Sequence, residues 1–297
     1  DRIWGIDAIA KNQSTSQYGT IVAMDESPIN PDLLYVGTDD GLIQVTENCG
    51  TTWTKMNVFP QVPKDTYVNM VLASRYDENI VFACFNNHKK GDFKPYVFKS
   101  IDKGKTWKSI TANLPERGST YAIAQDHVDP NLLFVGTEFG LFVSNNGGQS
   151  WLQMKSGLPT IAVRDIAIQR RENDLVLGTF GRGFYVLDDY SALRSTRETQ
   201  LDGEGYLFSV RDPLLYEPSY PMGLPGQAFQ GDSYYRGENL PPVALFTYYL
   251  KEEITSLKAQ RQTMEKAQLE KGEDTHYPSY EALAAERSEK EPQLLFT

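Results

Sequence analysis

The carboxylates, bases and tyrosines that could do chemistry together lie far apart along this chain. The acids are Asp39-Asp40 and Glu138, the latter followed by Phe139; the bases are His88 and Arg182; the aromatics are Tyr67 and Tyr121. Two carboxylates flanking a glycosidic bond could hydrolyse it, with retention at a separation of about 5.5 Å and inversion at about 6.5–9.5 Å. A hydrolase acting on an acidic sugar would add an arginine cluster to grip the substrate carboxylate. Arg117, Arg164 and Arg182 are available for that, and spacing alone identifies no Tyr–Glu nucleophile pair. With no chemistry at all, the same side chains would form a charged and aromatic surface that holds a protein, a peptide or a glycan. Asp39, Asp40, His88, Glu138, Phe139, Arg182, Tyr67 and Tyr121 are therefore candidate ligand-binding residues, with no catalytic or metal-ligating residue assigned. The plainer alternative makes Asp39-Asp40-Gly41 and Glu138-Phe139-Gly140 tight turns whose acids face solvent.

An internal repeat says what would bring these residues together. Thr46-Glu47-Asn48-Cys49-Gly50-Thr51-Thr52-Trp53 shares the pattern S/T-x-D/N-x-G-x-T/S-W with two later copies, Ser100 to Trp107 and Ser144 to Trp151. Each copy suits a β-hairpin. The Asp or Asn oxygen accepts N–H groups of its own turn, Gly takes the positive φ, and Trp folds beneath the hairpin to lock it to the next sheet. Asn48, Asp102 and Asn146 imitate a repeated catalytic set, but their oxygens are consumed by the turns. A second element, Asn30-Pro31-Asp32-Leu33-Leu34-Tyr35-Val36-Gly37-Thr38, returns over Asp129 to Thr137, and more weakly over Asp77 to Cys84 and Asn173 to Thr179. Aligning Gly37, Ala83, Gly136 and Gly178 gives a period of roughly 42 to 53 residues, the blade length of a β-propeller.

The fold class is accordingly all-β, with about four blades of four short strands each. Strands are expected near 20–25, 33–38, 42–46 and 52–56, then 66–73, 80–85, 95–100 and 106–110. The third blade follows at 119–125, 132–137, 141–144 and 150–154, and the fourth at 162–168, 174–179 and 183–187 without an outer strand. The repeated turns join strands three and four. Loops between strands two and three fall on the opposite rim, together with loops between blades, which add Asp65 and Arg117. That rim collects the candidate residues. Glu138 lies two blades from Asp39-Asp40, so the repeat does not supply a hydrolase spacing.

The hairpin motif is similar to the Asp-box, or BNR repeat, of sialidases, sortilin-type receptors and two-propeller xyloglucanases. Gly37-Thr38-Asp39-Asp40-Gly41-Leu42-Ile43, Gly91-Asp92-Phe93-Lys94-Pro95-Tyr96 and Thr179 to Asp189 more specifically resemble the large bacterial sortilin-like proteins often labelled glycosyl hydrolases. The resemblance is strong over residues 1–195 and looser beyond. It implies a propeller followed by immunoglobulin-like modules, in a secreted, periplasmic or cell-surface protein. The open fourth blade and the start at Asp1-Arg2-Ile3-Trp4, neither an initiator Met nor a signal peptide, add the expectation of a fragment. Its partners would be the remainder of a larger propeller or a partner chain, besides a protein, peptide or glycan ligand. A binding platform on the rim opposite the Asp-boxes is the leading reading. The alternatives are an assembly role in a surface complex and a xyloglucanase- or sialidase-like glycosidase.

Beyond the blades of residues 1–192, residues 193–240 read as a Pro/Gly/Tyr-rich connector. Residues 241–297 read as an incomplete β-sandwich-like module with a helical insertion. A strand is expected over 243–250, helices over 252–271 and 279–290, and a further strand at Leu294 to Thr297. Ile254, Leu257, Met264 and Leu269 form only a broken heptad.

Composition narrows the function classes. The 297 residues carry 29 Lys and Arg against 39 Asp and Glu, a net charge of -10 that argues against nucleic-acid binding. No apolar run of about 18 residues is present to cross a bilayer. Three histidines and no CxxC argue against a zinc enzyme. Cys49 and Cys84 are expected to be free, half-buried thiols. No cofactor is implied; acidic turns offer calcium its oxygen ligands, but EF-hand spacing is absent.

Overall fold

The computed structural model describes residues 19–196, 202–217, 241–252 and 254–290. The chain divides into two units, Asp1–Arg197 and Glu198–Thr297.

The first unit is built of four successive antiparallel sheets, each following chain order from its inner to its outer strand. Blade 1 holds β1 (Ile21–Glu26), β2 (Leu34–Thr38), β3 (Ile43–Thr46) and β4 (Thr54–Met56). Blade 2 holds β5 (Tyr67–Ala73), β6 (Val81–Asn87), β7 (Asp92–Ser100) and β8 (Lys108–Ser109). Blade 3 holds β9 (Thr120–Gln125), β10 (Leu133–Thr137), β11 (Gly140–Ser144) and β12 (Leu152–Met154). Blade 4 has three strands, β13 (Val163–Gln169), β14 (Asp174–Thr179) and β15 (Phe184–Leu187). Among the described residues the expected four blades are thus present, the last one short of its outer strand. β1 packs on β5, β5 on β9, and β9 on β13. These inner strands line a common central cavity of about 320 Å³ whose walls include Asp25, Met70, Ile123 and Ile168.

The repeated turns have one geometry. The first residue's hydroxyl donates to the Asn or Asp oxygen at 3.0, 2.7 and 2.8 Å, in Thr46–Asn48, Ser100–Asp102 and Ser144–Asn146. The same carboxyl or amide oxygen accepts the backbone N–H of Thr52, Thr106 or Ser150 at 2.8–3.0 Å. Two consecutive left-handed residues close each turn, Cys49-Gly50, Lys103-Gly104 and Gly147-Gly148. The tryptophans anchor to the preceding sheet, not the next one. Trp107 is buried with Tyr35 and Val45 of blade 1, and Trp151 Nε1 donates to the Ile110 carbonyl of blade 2 at 2.8 Å. Each of these tryptophans ends its turn, one residue before the outer strand, and its ring reaches back under the hairpin to the preceding sheet.

The register also corrects the sequence alignment by one residue. Gly37 pairs with Ala23, Gly136 with Ala122 and Gly178 with Asp165, whereas in blade 2 Cys84, not Ala83, holds this position opposite Met70. A small residue is needed there because the next blade's inner strand presses on it. A Cβ on Gly37 would lie 2.5 Å from Val68 Cγ1, and one on Gly136 would lie 2.6 Å from the Val163 carbonyl oxygen. Both cysteines are free, but not half-buried: Cys84 is buried and Cys49 exposed. Burial pushes the Cys84 thiol pKa upward, and the hydrogen bond to Asp32 does the same for Cys49.

A buried clasp ties the segment after blade 4 to blade 3. Arg194 forks onto Asp126 through two 2.8 Å bonds, and the Tyr190 hydroxyl donates to Asp126 at 2.5 Å. Although burial opposes ionisation, these bonds and the backbone N–H groups of Asp129 and Val128 lower the Asp126 pKa to about 2.

In the second unit β16 (Gly205–Leu207) pairs antiparallel with β17 (Tyr248–Leu250). The strand expected over 243–250 is therefore only its last three residues, and its partner comes from the stretch read as connector. Helices α1 (Leu257–Glu270) and α2 (Tyr280–Ser288) begin later than expected because Ser256 and Ser279 cap them through their hydroxyls. Arg261 joins the two helices, reaching Glu265 at 2.7 Å and Glu286 at 2.6 Å. The strand expected at Leu294 to Thr297 lies outside the described residues. Among the described residues no helix is long and apolar enough to cross a membrane.

Candidate functional site

A β-bulge interrupts the inner strand of every blade at the same place. The register slips between Ile21 and Ala23, Val68 and Met70, Thr120 and Ala122, and Val163 and Asp165. The extra residues are Val22, Asn69, Tyr121 and Arg164. A bulge breaks the in–out alternation and re-aims one side chain. In blades 2 to 4 that side chain is polar and serves the rim formed by the turns between second and third strands.

Three of these bulges build one site. The Tyr121 hydroxyl donates to Glu138 Oε2. The Arg164 guanidinium lies 3.7 Å from the centre of the Tyr121 ring and 5.2 Å from that of Phe180. Burial first, and the bond to Glu138 second, push the Tyr121 pKa up to about 12, so it is a phenol at neutral pH. Asn69 supports the group from the blade 2 side by donating to the Tyr121 carbonyl at 2.5 Å. Asn86 donates to Asn69, and His88 Nδ1 approaches Asn86 Oδ1, each at 2.5 Å. With an amide oxygen as its partner, Nδ1 is the donor of this contact.

His88, Tyr121, Glu138 and Arg164 enclose a pocket of about 300 Å³, walled also by Arg117, Phe139 and Ser119. Ser119 is buried and its hydroxyl makes no well-formed hydrogen bond, although it is near enough to Tyr121 to lower that phenol's pKa. Among the described residues Glu138 is the only carboxylate on the wall, against the two arginines Arg117 and Arg164. In a chain of net charge -10 this is a local basic spot. Arg117 lies 5.6 Å from the Phe93 ring centre. The same Arg117–Phe93 pair also walls a second, larger cleft of about 770 Å³ along blade 2, which contains Tyr96 and Asp92. The two spaces thus lie side by side on either side of that pair.

The structure thus gathers His88, Tyr121, Glu138 and Phe139 and leaves the other four candidates outside the pocket. Asp39 is buried and accepts the Thr20 backbone N–H at 2.8 Å. Asp40 accepts the Thr38 hydroxyl. Both are turn-forming acids, and Gly41 at φ 86° closes that turn against the backbone of Thr66. Tyr67 is the first residue of β5, with Lys89 5.9 Å from its ring centre. Arg182 stands exposed at the tip of the blade 4 turn. Sequence reasoning missed Asn69 and Ser119. A polar residue between Val68 and Met70 in an otherwise apolar strand is the signal that could have found Asn69. It also found no Tyr–Glu pair; the bulge creates one across 17 residues by turning Tyr121 toward the blade's own turn. Among the described residues no group of three or more His, Cys, Asp or Glu side chains gathers to hold a metal.

Fold and site together define a β-propeller with a basic, aromatic-walled pocket on one rim. No family model matches the chain, and no curated protein matches it. Among similar solved structures, YCF48 bound to D1 peptide is 15% identical over 59% of this chain and 53% of its own, at a TM-score of 0.45. The GH74 enzyme of Niastella koreensis is 18% identical over 58% and 29%, at 0.47. The GH74 xyloglucanase of Xanthomonas campestris is 15% identical over 60% and 30%, at 0.45. The chain spans about half the length of the first and under a third of the other two.

Proposed function

We propose that this protein is a binding platform that holds an acidic, extended segment of a protein or peptide partner on the rim opposite the repeated turns. One observation carries this reading: a pocket walled by the guanidinium groups of Arg117 and Arg164, its described carboxylate, Glu138, already engaged by Tyr121. An anionic group entering it would meet two guanidinium forks and the buried Ser119 hydroxyl, and charge-assisted bonds of that kind are the stronger class. The adjoining cleft beyond Phe93 offers room for the rest of an extended chain. The likeness of residues 1–195 to sortilin-like bacterial proteins supports a secreted, periplasmic or cell-surface setting.

A fluorescein-labelled peptide rich in Asp and Glu, titrated by fluorescence polarisation beside its Asn/Gln counterpart, tests this. The acidic peptide should bind and the neutral one should not. Arg164→Ala and Arg117→Ala should each weaken binding by on the order of 10-fold or more, the loss of one charge-assisted bond. Arg182→Ala should leave it unchanged. Equal affinity for both peptides would remove the reading.

The Tyr121–Glu138 pair favours a second reading, a hydrolase of acidic glycosides. Tyr121 Oη would attack the anomeric carbon, Glu138 taking its proton, as the glycosidic C–O bond breaks and the aglycone departs as an anion; water would then hydrolyse the tyrosyl–sugar bond, as in sialidases that use a tyrosine nucleophile. Among the described residues no second carboxylate on the pocket wall protonates the leaving group, so this route needs an aglycone that leaves readily as an anion. Turnover of a fluorogenic sialoside that disappears in Tyr121→Phe would establish it.

A further inference from the structure

The central cavity between the inner strands opens on the rim of the repeated turns, the other rim from the Tyr121 pocket. Each repeated turn is tied to the loop that leaves the inner strand of its own blade. The N–H groups of Cys49, Lys103 and Gly147 donate to the carbonyls of Asp32, Asn79 and Asn131 at 2.8–3.1 Å. Those same loops begin with residues of the cavity mouth. Arg75 and His127 each stand two residues past an inner strand, β5 and β9, and Arg170 stands one past β13. Blade 1 contributes Glu26, the last residue of β1, and Asp25 just inside it.

Deeper in, the walls are aliphatic. Met70, Leu72, Ile123, Ile166 and Ile168 line the space, with no aromatic ring among the described lining residues. Bonds between blades hold these walls in place. The Ala73 N–H donates to Asp25 at 2.7 Å, the Ser74 hydroxyl to Gln125 at 2.9 Å, and the Ile123 N–H to Met70 Sδ at 3.3 Å. The volume of about 320 Å³ is room for about ten waters, the small end of the range for ligand sites.

The mouth carries both signs of charge, sorted by blade. Its bases come from blades 2 to 4 and its acids from blade 1. Burial lowers the His127 pKa; Asp126 opposes this, and the charges of Arg194, Arg75 and Arg170 add to it. The imidazole is therefore neutral at neutral pH, and the positive charge of the mouth sits on Arg75 and Arg170. Arg194 is spent on Asp126, whereas Arg75 and Arg170 form no ion pair among the described residues. A simple anion here would face the carboxylates of blade 1, and a simple amine would face the two guanidiniums. A ligand with both charges on one carbon and an aliphatic body suits every group on the wall, since a charge taken from water needs a partner of opposite sign.

We infer that the cavity is a second binding site, for a free aliphatic amino acid. Its carboxylate sits between Arg75 and Arg170, its ammonium group turns to Glu26 and Asp25, and its side chain lies among the aliphatic residues of the inner strands.

Titration of the full chain with leucine, followed by NMR of carbon-13 methionine methyl groups, tests it. Met70 lines the cavity, whereas Met56 and Met264 do not. The Met70 signal, assigned with Met70→Leu, should shift and saturate while the other two stay in place. Isocaproate and isoamylamine keep the body of leucine and each drop one of its charges. Both should bind on the order of 10-fold more weakly, as should leucine to Arg75→Gln or Glu26→Gln. Arg170→Gln serves in place of Arg75→Gln should that variant fail to fold. A Met70 signal that leucine does not move overturns the proposal. So does equal binding of isocaproate or isoamylamine, since one set of charges would then be idle. Displacement of the labelled acidic peptide by leucine would put the amino acid in the pocket of the other rim, and would overturn it too. The peptide reading stands or falls on its own titration.

Discussion

At the residue scale the site depends on a few groups whose ordinary properties are shifted by their neighbours. Tyr121 is held as a phenol, its pKa pushed up to about 12 by burial and by Glu138. Tyr121→Phe should keep the ring under Arg164 but free Glu138. The expected cost is about 1 kcal/mol of stability, the net worth of one hydrogen bond, read as a lowered urea midpoint. Cys84 and Cys49 make a paired prediction. Both thiols have raised pKa values, Cys84 from burial and Cys49 from Asp32, so both are poor thiolates at neutral pH. With Ellman's reagent, exposed Cys49 should react slowly, and Cys84 only in denaturant. Two fast equivalents in the native protein would refute that assignment. Half of the candidate site residues were legible in the sequence because loops between second and third strands share a rim. The two acids among the others stayed out of the pocket for a local reason. An acid next to a tight turn is as readily consumed by the turn's own N–H and hydroxyl groups, as Asp39 and Asp40 are, as it is presented to a ligand.

At the element scale the blades were legible almost strand for strand, because alternation, turn residues and the repeat all point the same way. The bulges were not, since one extra residue in a strand leaves composition unchanged and appears only as a slipped register. Nor was the direction in which Trp107 and Trp151 reach, which depends on which neighbour lies beneath the hairpin. The small-residue rule yields a contrast between two glycines. Gly136→Ala would drive a Cβ to 2.6 Å from the Val163 carbonyl and should destabilise by roughly 1–3 kcal/mol, whereas Gly178→Ala meets nothing closer than 3.4 Å and should leave stability unchanged. The Asp126 clasp supplies a pH dependence. Its pKa is lowered to about 2 in the folded state, against about 3.9 when unfolded. The stabilisation is therefore full above roughly pH 5 and is lost as pH falls toward 2, by about 2–3 kcal/mol in all. Asp126→Asn should abolish that acid sensitivity and, by leaving Arg194 unpaired, cost on the order of 3 kcal/mol at neutral pH. An unchanged acid unfolding profile in that variant would show that other carboxylates govern it.

At the scale of the whole molecule the chain presents two rims with different work. One is occupied by the repeated turns, whose polar groups satisfy one another. On the other, two bulges aim Tyr121 and Arg164 at a single pocket, and a third places Asn69 to hold the Tyr121 backbone. The contrast between a net charge of -10 and a pocket walled by two arginines predicts that peptide affinity falls as salt rises, since screening weakens partly exposed charge pairs. A salt-independent affinity would point to apolar contacts in the Phe93 cleft instead. The central claim is that an anionic segment sits between Arg117 and Arg164. The most direct measurement is nitrogen-15 NMR of the arginine Nε–H groups during titration with the acidic peptide. The account predicts that the Arg117 and Arg164 signals shift together and saturate with the binding curve while the Arg182 signal stays in place. Shifts confined to Arg182, or spread equally over all the arginines, would contradict it.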